Sequence, residues 1–470
     1  MKNYSKVYVF IIILSSLVTH FLFFGQPNEI VFDEVHFGKF ISGYFTHQYF
    51  FDIHPPLGKL IISAAGYITG FKPGFSFAEI GQKFADHSYL WLRLLPTIAG
   101  TLLPIVIFYL VVQLGLSRLA AFSAGLLVVL ENSILVQSRF ILLDAFLLLF
   151  GFAGLLFYFL YRNHRYKPRY LLIAAIFGAL SVSVKWTGAV FLATMIIIEI
   201  LHGIKNRKSL RLPSYMLSRF VYLVVIPFII YFSIFAIHLK LLYKSGAGDA
   251  FMTPAFQKTL MGNSNTTNDS VQPLNIFEKF AELNIQMYKS NATLTANHPY
   301  SSKWYTWPLM IRPIYYWYGG STPVQVSSSA SRIYFLGNPV IWWTSTAAIL
   351  YILLTFLIES FSSIIGFFKK KLVFSQNGNL KIFFLGFFLF NLLPFIGITR
   401  VMFLYHYMIA LVISIIALVY LLDRLENKKK AFGILIIISL AAFIFFLPLS
   451  YGLPLTENAY HLRLWLPSWQ

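Results

Sequence analysis

Two adjacent carboxylates, Asp33 and Glu34, stand in Phe32-Asp33-Glu34-Val35-His36-Phe37-Gly38-Lys39-Phe40, close behind the first long apolar run of the chain. They are packed among aromatic residues and followed by a rigid turn in Asp52-Ile53-His54-Pro55-Pro56-Leu57-Gly58-Lys59, which suits a site better than a solvated loop. Four cations interrupt otherwise apolar sequence: Arg93 in Trp91-Leu92-Arg93-Leu94-Leu95-Pro96, Arg139 a few residues before Asp144, Lys185 in Val184-Lys185-Trp186-Thr187-Gly188, and Arg400 ahead of Val401 to Tyr407. A charge costs roughly 2.5–3.5 kcal/mol at the bilayer centre, so such residues are seldom idle. Singly, each has a structural explanation: Arg139 could pair with Asp144, and Arg93 could snorkel to the interface. Together on one face they fit an anion, and at that depth the natural anion is a lipid phosphate. A carboxylate at the water-facing edge with cations behind it suits a transfer in which a phosphate departs. The carboxylate takes the proton of an attacking hydroxyl, and the cations hold the charge that develops on the phosphate. No strong general acid is required, unlike the separated acid and base of a glycosidase. Neighbouring side chains point apart, so one of Asp33 and Glu34 is expected to be the base. The other would orient it or hold acceptor or metal.

A third group, His298-Pro299-Tyr300-Ser301-Ser302-Lys303-Trp304-Tyr305-Thr306-Trp307-Pro308, interleaves prolines and polar residues with aromatics. Interfacial aromatic belts are common, but this mixture suits a rigid platform for a peptide or sugar. Asn265, Asn268 and Asn291 open Asn-x-Ser/Thr triplets in the same loop, acceptors only in a glycosylating compartment. His36, His47, His54, His87 and His298 show no recognised metal-ligand spacing, although Asp33 and Glu34 admit a divalent cation such as Mg or Mn. There is no phosphate-binding glycine loop, which argues against a soluble nucleotide donor. With no cysteine, disulfides, thiol catalysis and cysteine-zinc sites are excluded.

The elements that carry these residues are membrane helices. The 470 residues are 58% hydrophobic and only 11% charged, with a mean hydropathy of +0.69. A soluble domain carries about a quarter charged residues, and no barrel-type alternation is present. About eleven spans are expected, near 7–25, 89–113, 118–136, 139–161, 170–184, 187–203, 219–242, 339–358, 381–397, 400–422 and 431–449. The first is too long for a signal peptide core and lacks a cleavage site, so it reads as a retained helix. The net charge of +20 would suggest nucleic acid in a soluble protein. Here the cations cluster at Lys2 and Lys6, at 162–169, 205–211, 369–371 and 424–430, on one side of the alternating helices. That is the positive-inside pattern with contact to anionic lipid, and it excludes nucleic acid as the partner. The loops 26–88 and 243–338 then fall on the opposite, external face, as does the carboxyl terminus. No transporter-type repeat is visible.

At these motifs the chain closely resembles the protein O-mannosyltransferase family of membrane glycosyltransferases, of the GT-C fold class. The acidic motif at 32–39, the Asp52 to Lys59 segment, Ser138 to Asp144, Val184 to Gly188, His298 to Pro308, Gly337-Asn338-Pro339 and Arg400 to Tyr407 follow one another in the family's order. The resemblance implies an all-α polytopic GT-C protein, one catalytic domain over 1–470, with two large external loops. It implies inverting transfer of mannose, or a related hexose, from a dolichyl- or other polyprenyl-phosphate donor to Ser/Thr of secreted or membrane proteins. Asp33 becomes the base, with Glu34 orienting it or binding acceptor. Arg93, Arg139, Lys185 and Arg400 are expected at the donor phosphate, and His54, Pro55, Asp144, His298, Trp304 and Trp307 around the substrate pocket. The eukaryotic members carry a β-trefoil module in the large late loop, and 243–338 is too short to hold one. The chain looks like the compact prokaryotic form, in a plasma membrane with its active site outside. A homodimer is compatible with the family. Two other readings share the features: a GT-C enzyme acting on a lipid or surface glycan, and a non-enzymatic carrier of lipid-linked sugar.

Overall fold

In lipid each backbone polar group must be paired within its own segment, so long apolar runs become helices. The computed structural model describes residues 2–206, 211–293, 298–319, 329–368, 378–398 and 400–470. Its first helices are α1 (Lys2–Phe21), α2 (Glu34–Thr46), α3 (Leu57–Ile68), α4 (Tyr89–Gln113), α5 (Arg118–Val129), α6 (Asn132–Ser138) and α7 (Asp144–Asn163). There follow α8 (Pro168–Val184), α9 (Ala189–Lys205), α10 (Leu212–Phe220), α11 (Ile226–Leu241), α12 (Pro254–Gln257) and α13 (Ile276–Thr293). The bundle is completed by α14 (Pro339–Phe368), α15 (Gly378–Leu392), α16 (Met408–Leu422) and α17 (Lys428–Tyr451).

Helix overlaps each of the eleven expected spans. Among the described residues seven helices are long and apolar enough to cross a membrane, or eight if α5 and α6 form one span bent by 59°. The segments Ser5–Phe21, Pro168–Val184 and Leu380–Phe395 are apolar but shorter. The expected helix 118–136 is therefore not continuous. It breaks at Glu131, whose buried carboxylate accepts Ser133 N–H (3.1 Å) and Oγ (2.8 Å) and so caps α6. Asn, Ser and acidic side chains compete with the helical ladder in this way. Glu131 also accepts Asn338 N–H (3.1 Å), tying the break to the start of α14.

Hydrogen bonds define two ends of the bundle. At one, Ser117 N–H and Oγ donate to Asp423 (2.8 and 2.5 Å). Nearby, Glu199 accepts Tyr158 (2.8 Å), Arg162 (2.9 Å) and Arg219 (2.9 Å), joining α7, α9 and α10. This is the basic end; of the cations expected there, Arg207, Lys208 and Lys369 to Lys371 lie outside the described residues. At the other end, Arg139 donates to the carbonyls of His20 (3.1 Å), Leu22 (2.5 Å) and Phe23 (2.7 Å), closing the last turn of α1, whose carbonyls have no helical partner.

The described parts of the loops 26–88 and 243–338 gather at that second end and have a core of their own. Tyr44, Phe50, Phe51, Phe235, Phe256, Leu283 and Met287 are buried together there, locking α2 and α13 onto the end of α11. Outside the helices is a small antiparallel sheet, β1 (Ile314–Gly319), β2 (Ser329–Phe335) and β3 (Pro454–Thr456), in the order β1-β2-β3. Its register, Ile314 opposite Phe335 and Ser329 opposite Thr456, fastens the late loop to the segment after α17.

Candidate functional site

The acidic pair sits where the chain leaves an extended segment and enters α2. Phe32 has φ +48°, a left-handed conformation that costs a non-glycine residue about 1–3 kcal/mol. Its ring stacks on Tyr316 with centroids 4.0 Å apart, and its N–H donates to the Tyr316 carbonyl (3.1 Å), so β1 holds the strained residue in place. Behind the pair, Gly38 lets α2 lie against Phe77; a Cβ there would stand 2.1 Å from that ring.

The two carboxylates part company. Glu34 turns inward and is completely buried. It accepts Arg93 Nε (2.8 Å) and Nη2 (2.6 Å) together with Val31 N–H (2.8 Å) and Ile141 N–H (2.9 Å). Arg93, also completely buried, gives its remaining donors to the carbonyls of Gly25 (2.9 Å), Pro27 (2.6 Å) and Glu29 (2.8 Å). The rings of Phe84, Tyr89 and Phe140 surround its guanidinium at about 5 Å. Every donor and acceptor of this pair is engaged, and the pair sews the loop 26–88 to α4 and to the segment just before α7.

Asp33 is left facing a cavity of about 660 Å³ whose wall includes His36, Asp52, His54, His298, Arg400, Phe403 and Tyr405, with Ser290 and Thr293 of α13 at its edge. Burial raises the Asp33 carboxyl to about 7; the carboxylates of Asp144 and Asp52 add to this, and the Lys185 ammonium opposes it. The His54 imidazole is held well below its usual range by burial and then by Lys185, Lys59 and Arg400, so it is neutral at pH 7. Asp52 forms an ion pair with the buried Lys59, which also donates to the carbonyls of His54 (2.9 Å) and Pro55 (3.2 Å). The His-Pro-Pro turn is thus wrapped round an ammonium. That places His54 on the cavity wall and Pro55 behind it.

The four expected phosphate cations separate into distinct environments. Arg93 and Arg139 hold backbone carbonyls, as described above, and neither reaches the cavity. Asp144 pairs with Lys185 (2.9 and 2.8 Å) rather than with Arg139, because Lys185 leaves α8 in an extended conformation that swings it toward the start of α7. Gln137 Nε2 also donates to Asp144 (2.7 Å) and is itself held by Tyr316 (2.6 Å). Lys185 lies 4.9 Å from the centroid of Tyr405, a ring that lines the cavity, so the Lys185–Asp144 pair sits just beneath its surface. Arg400 stands on the wall itself. Among the described residues no carboxylate pairs with it: Nη2 lies 3.4 Å from His406 Nε2, and the buried Nε has no partner.

The aromatic platform supports this cation more than it lines the cavity. Trp307 is completely buried, bonds Ser302 Oγ through Nε1 (2.9 Å) and stacks on His406 with centroids 5.6 Å apart. Trp304 packs edge-on against Tyr305 and also lies away from the cavity. His298 does reach the wall, edge-on to Phe403 at 4.9 Å. Sequence reasoning assigned no role to Asp52, Lys59, Tyr405 or His36. An acid and a lysine flanking the His-Pro-Pro turn were a readable sign of an ion pair closing that turn. Among the described residues no three His, Asp or Glu converge as a metal site. A divalent cation at the acidic pair would find only Asp33 free, since Glu34 is held by Arg93, so the pair does not fit as a shared ligand set. A second cavity of about 720 Å³, lined by Glu29, Lys83 and Trp317 among others, contains none of the expected site residues.

Comparison with known proteins places this architecture. The solved S. cerevisiae protein O-mannosyltransferase Pmt1-Pmt2 complex bound to the sugar donor superposes with a TM-score of 0.88 at 20% identity, over 99% of this chain and 92% of that one. The archaeal oligosaccharyltransferase AglB from Archaeoglobus fulgidus gives 0.53 at 14% identity, over 99% and 58%. The fold is thus that of the GT-C membrane glycosyltransferases. Residues 10–243 match the family described as dolichyl-phosphate-mannose-protein mannosyltransferase, and residues 276–469 match the C-terminal four TMM region of protein-O-mannosyltransferase. Protein O-mannosyl-transferase 2 of Danio rerio is 33% identical over 265 residues, 54% of this chain and 35% of the relative. Dolichyl-phosphate-mannose--protein mannosyltransferase 4 of Candida albicans is 34% identical over 266 residues, 53% and 35%. The aligned part spans about a third of these relatives' length. The chain belongs to the protein O-mannosyltransferase family.

Proposed function

We propose that the protein transfers mannose, or a related hexose, from a polyprenyl-phosphate donor to Ser/Thr hydroxyls of secreted or membrane proteins, with inversion. One observation carries this reading: a carboxylate without a cationic partner, Asp33, and a guanidinium without a carboxylate partner, Arg400, both judged among the described residues, line the same cavity. Asp33 takes the proton of the acceptor hydroxyl as its oxygen attacks the anomeric carbon. The bond from that carbon to the phosphate oxygen breaks, and Arg400 neutralises the departing polyprenyl phosphate. A single displacement inverts the centre. Lys185 contributes field from beneath the cavity while held by Asp144. The site opens on the external face, which in a prokaryote is the outer side of the plasma membrane. A homodimer is a compatible assembly, and the acceptor is a polypeptide reaching the cavity from outside.

The test is transfer of label from polyprenyl-phosphate-mannose to a Ser/Thr-rich peptide by purified protein. Label on the peptide supports the reading. Label on lipid or glycan acceptors alone replaces the acceptor, and no transfer from any polyprenyl-phosphate hexose overturns it. Two further outcomes follow from the geometry. Arg400→Gln should lower transfer efficiency by about 10–100-fold, the worth of a charge-assisted hydrogen bond of roughly 1.5–3 kcal/mol, with Arg400→Lys recovering part; steady-state kinetics against donor concentration measures it. The pH–rate profile should fall on the acid side of about 7, because Asp33 is protonated below that value and cannot accept a proton. Asp52→Asn removes one of the charges that raise Asp33 and should move this limb to lower pH.

A further inference from the structure

The helix α13 belongs to an external loop, yet its exposed face carries an apolar stripe, bordered on one side by Glu278 and Lys289. Phe277, Ala281, Ile285, Tyr288 and Ala292 follow one another at helical spacing, and all five are exposed, Phe277 by 67% and Ile285 by 54%. The opposite face is buried through Leu283 and Met287. Water is a poor neighbour for such a stripe, and its depth shows what covers it. Phe277 stacks on Phe232 of α11 with centroids 5.0 Å apart, and Phe280 meets Tyr231, Phe232 and Phe235. Phe232 precedes the end of α11 at Leu241 by nine residues, about 14 Å of helical rise. At the basic end, Arg219 is paired with Glu199. A hydrocarbon layer needs about 20 residues, so measured from Arg219 it extends to the neighbourhood of Leu239 and includes Phe232. Phe228, Ile229 and Ile237 of the span itself are likewise exposed and apolar, and the Phe228 ring meets Phe280 edge-on at 6.2 Å. The polar side of the helix is partly engaged within the loop: Glu278 accepts Asn275 N–H (2.7 Å), Glu282 accepts Thr253 N–H (2.7 Å) and Oγ1 (2.8 Å), and Lys279 lies over Phe256 at 4.9 Å.

We propose that α13 is embedded in the outer leaflet, its stripe covered by lipid acyl chains. From Phe277 the helix climbs to the rim of the cavity, where Ser290 and Thr293 form part of the wall. The cavity therefore opens at headgroup level, and an acceptor must come down to the membrane surface to enter it.

The chain contains no cysteine, so single-cysteine variants can be labelled without background. Nitroxide is attached at Phe277→Cys and Ile285→Cys, with Phe228→Cys as the lipid-facing reference and Ser270→Cys as the water-facing one. The full chain is reconstituted in phosphatidylcholine vesicles, and collision with oxygen is compared with collision with a water-soluble nickel chelate. Oxygen should dominate at Phe277, Ile285 and Phe228, and nickel at Ser270. Nickel dominating at both stripe positions would overturn the proposal. So would exclusion of both reagents with spin–spin broadening, which would mean that a second copy of the chain covers the stripe.

Discussion

Asp33→Asn is expected to slow sugar transfer by about 10²–10⁴-fold, the usual worth of a positioned general base, while donor binding and folded yield stay unchanged. The amide preserves shape and removes the lone pair that takes the proton. Asp33 makes no hydrogen bond among the described side chains, so the substitution breaks no network, in contrast to its neighbour. Binding of a non-transferable polyprenyl-phosphate sugar, measured beside single-turnover transfer, separates chemistry from binding. Full turnover in the Asn variant would remove Asp33 from the reaction. Equal loss of donor binding and transfer would make it a ligand for the donor.

Breaking the Glu34–Arg93 pair should affect the fold rather than the chemistry. Both groups are completely buried, and each serves several backbone partners as well as the other. Removing one member of such a pair costs about 3–5 kcal/mol, because the survivor is a charge without compensation. Glu34→Gln and Arg93→Met should therefore each lower the apparent melting temperature in detergent sharply at a fixed scan rate. The double substitution should cost less than the sum of the two, since no unpaired charge remains. An Arg93→Met protein that melts normally but loses donor affinity would return Arg93 to the phosphate.

The sequence drew attention to one neighbourhood through charge in apolar surroundings. Asp33, His54, His298 and Arg400 were singled out, and all four line one cavity. It could not divide the acidic pair. Whether Asp33 or Glu34 faces the cavity depends on the left-handed turn at Phe32, and that turn is held by Tyr316 from a strand far along the chain. The four cations looked equivalent for a similar reason. Arg93, Arg139, Lys185 and Arg400 share a residue class and a depth, but among the described residues Arg93 and Lys185 each pair with a carboxylate, Arg139 holds backbone carbonyls, and Arg400 meets the His406 imidazole without a carboxylate. Those partners come from segments distant in sequence. Trp307 illustrates the same limit: its place in a striking aromatic motif suggested a substrate wall, whereas it stacks behind His406.

What the sequence determined alone is the solvent in which this protein works. Apolar length compels helices because lipid offers no partner to a bare backbone, while the basic loops supply an expected orientation. The order of motifs determined the family. Tertiary structure decided which charged groups remain available. An ionised group buried in a bundle must be neutralised by whatever lies nearest, and proximity between distant segments is set by packing. Of the carboxylates and guanidiniums that the sequence placed near the external face, packing left Asp33 and Arg400 open to the same cavity.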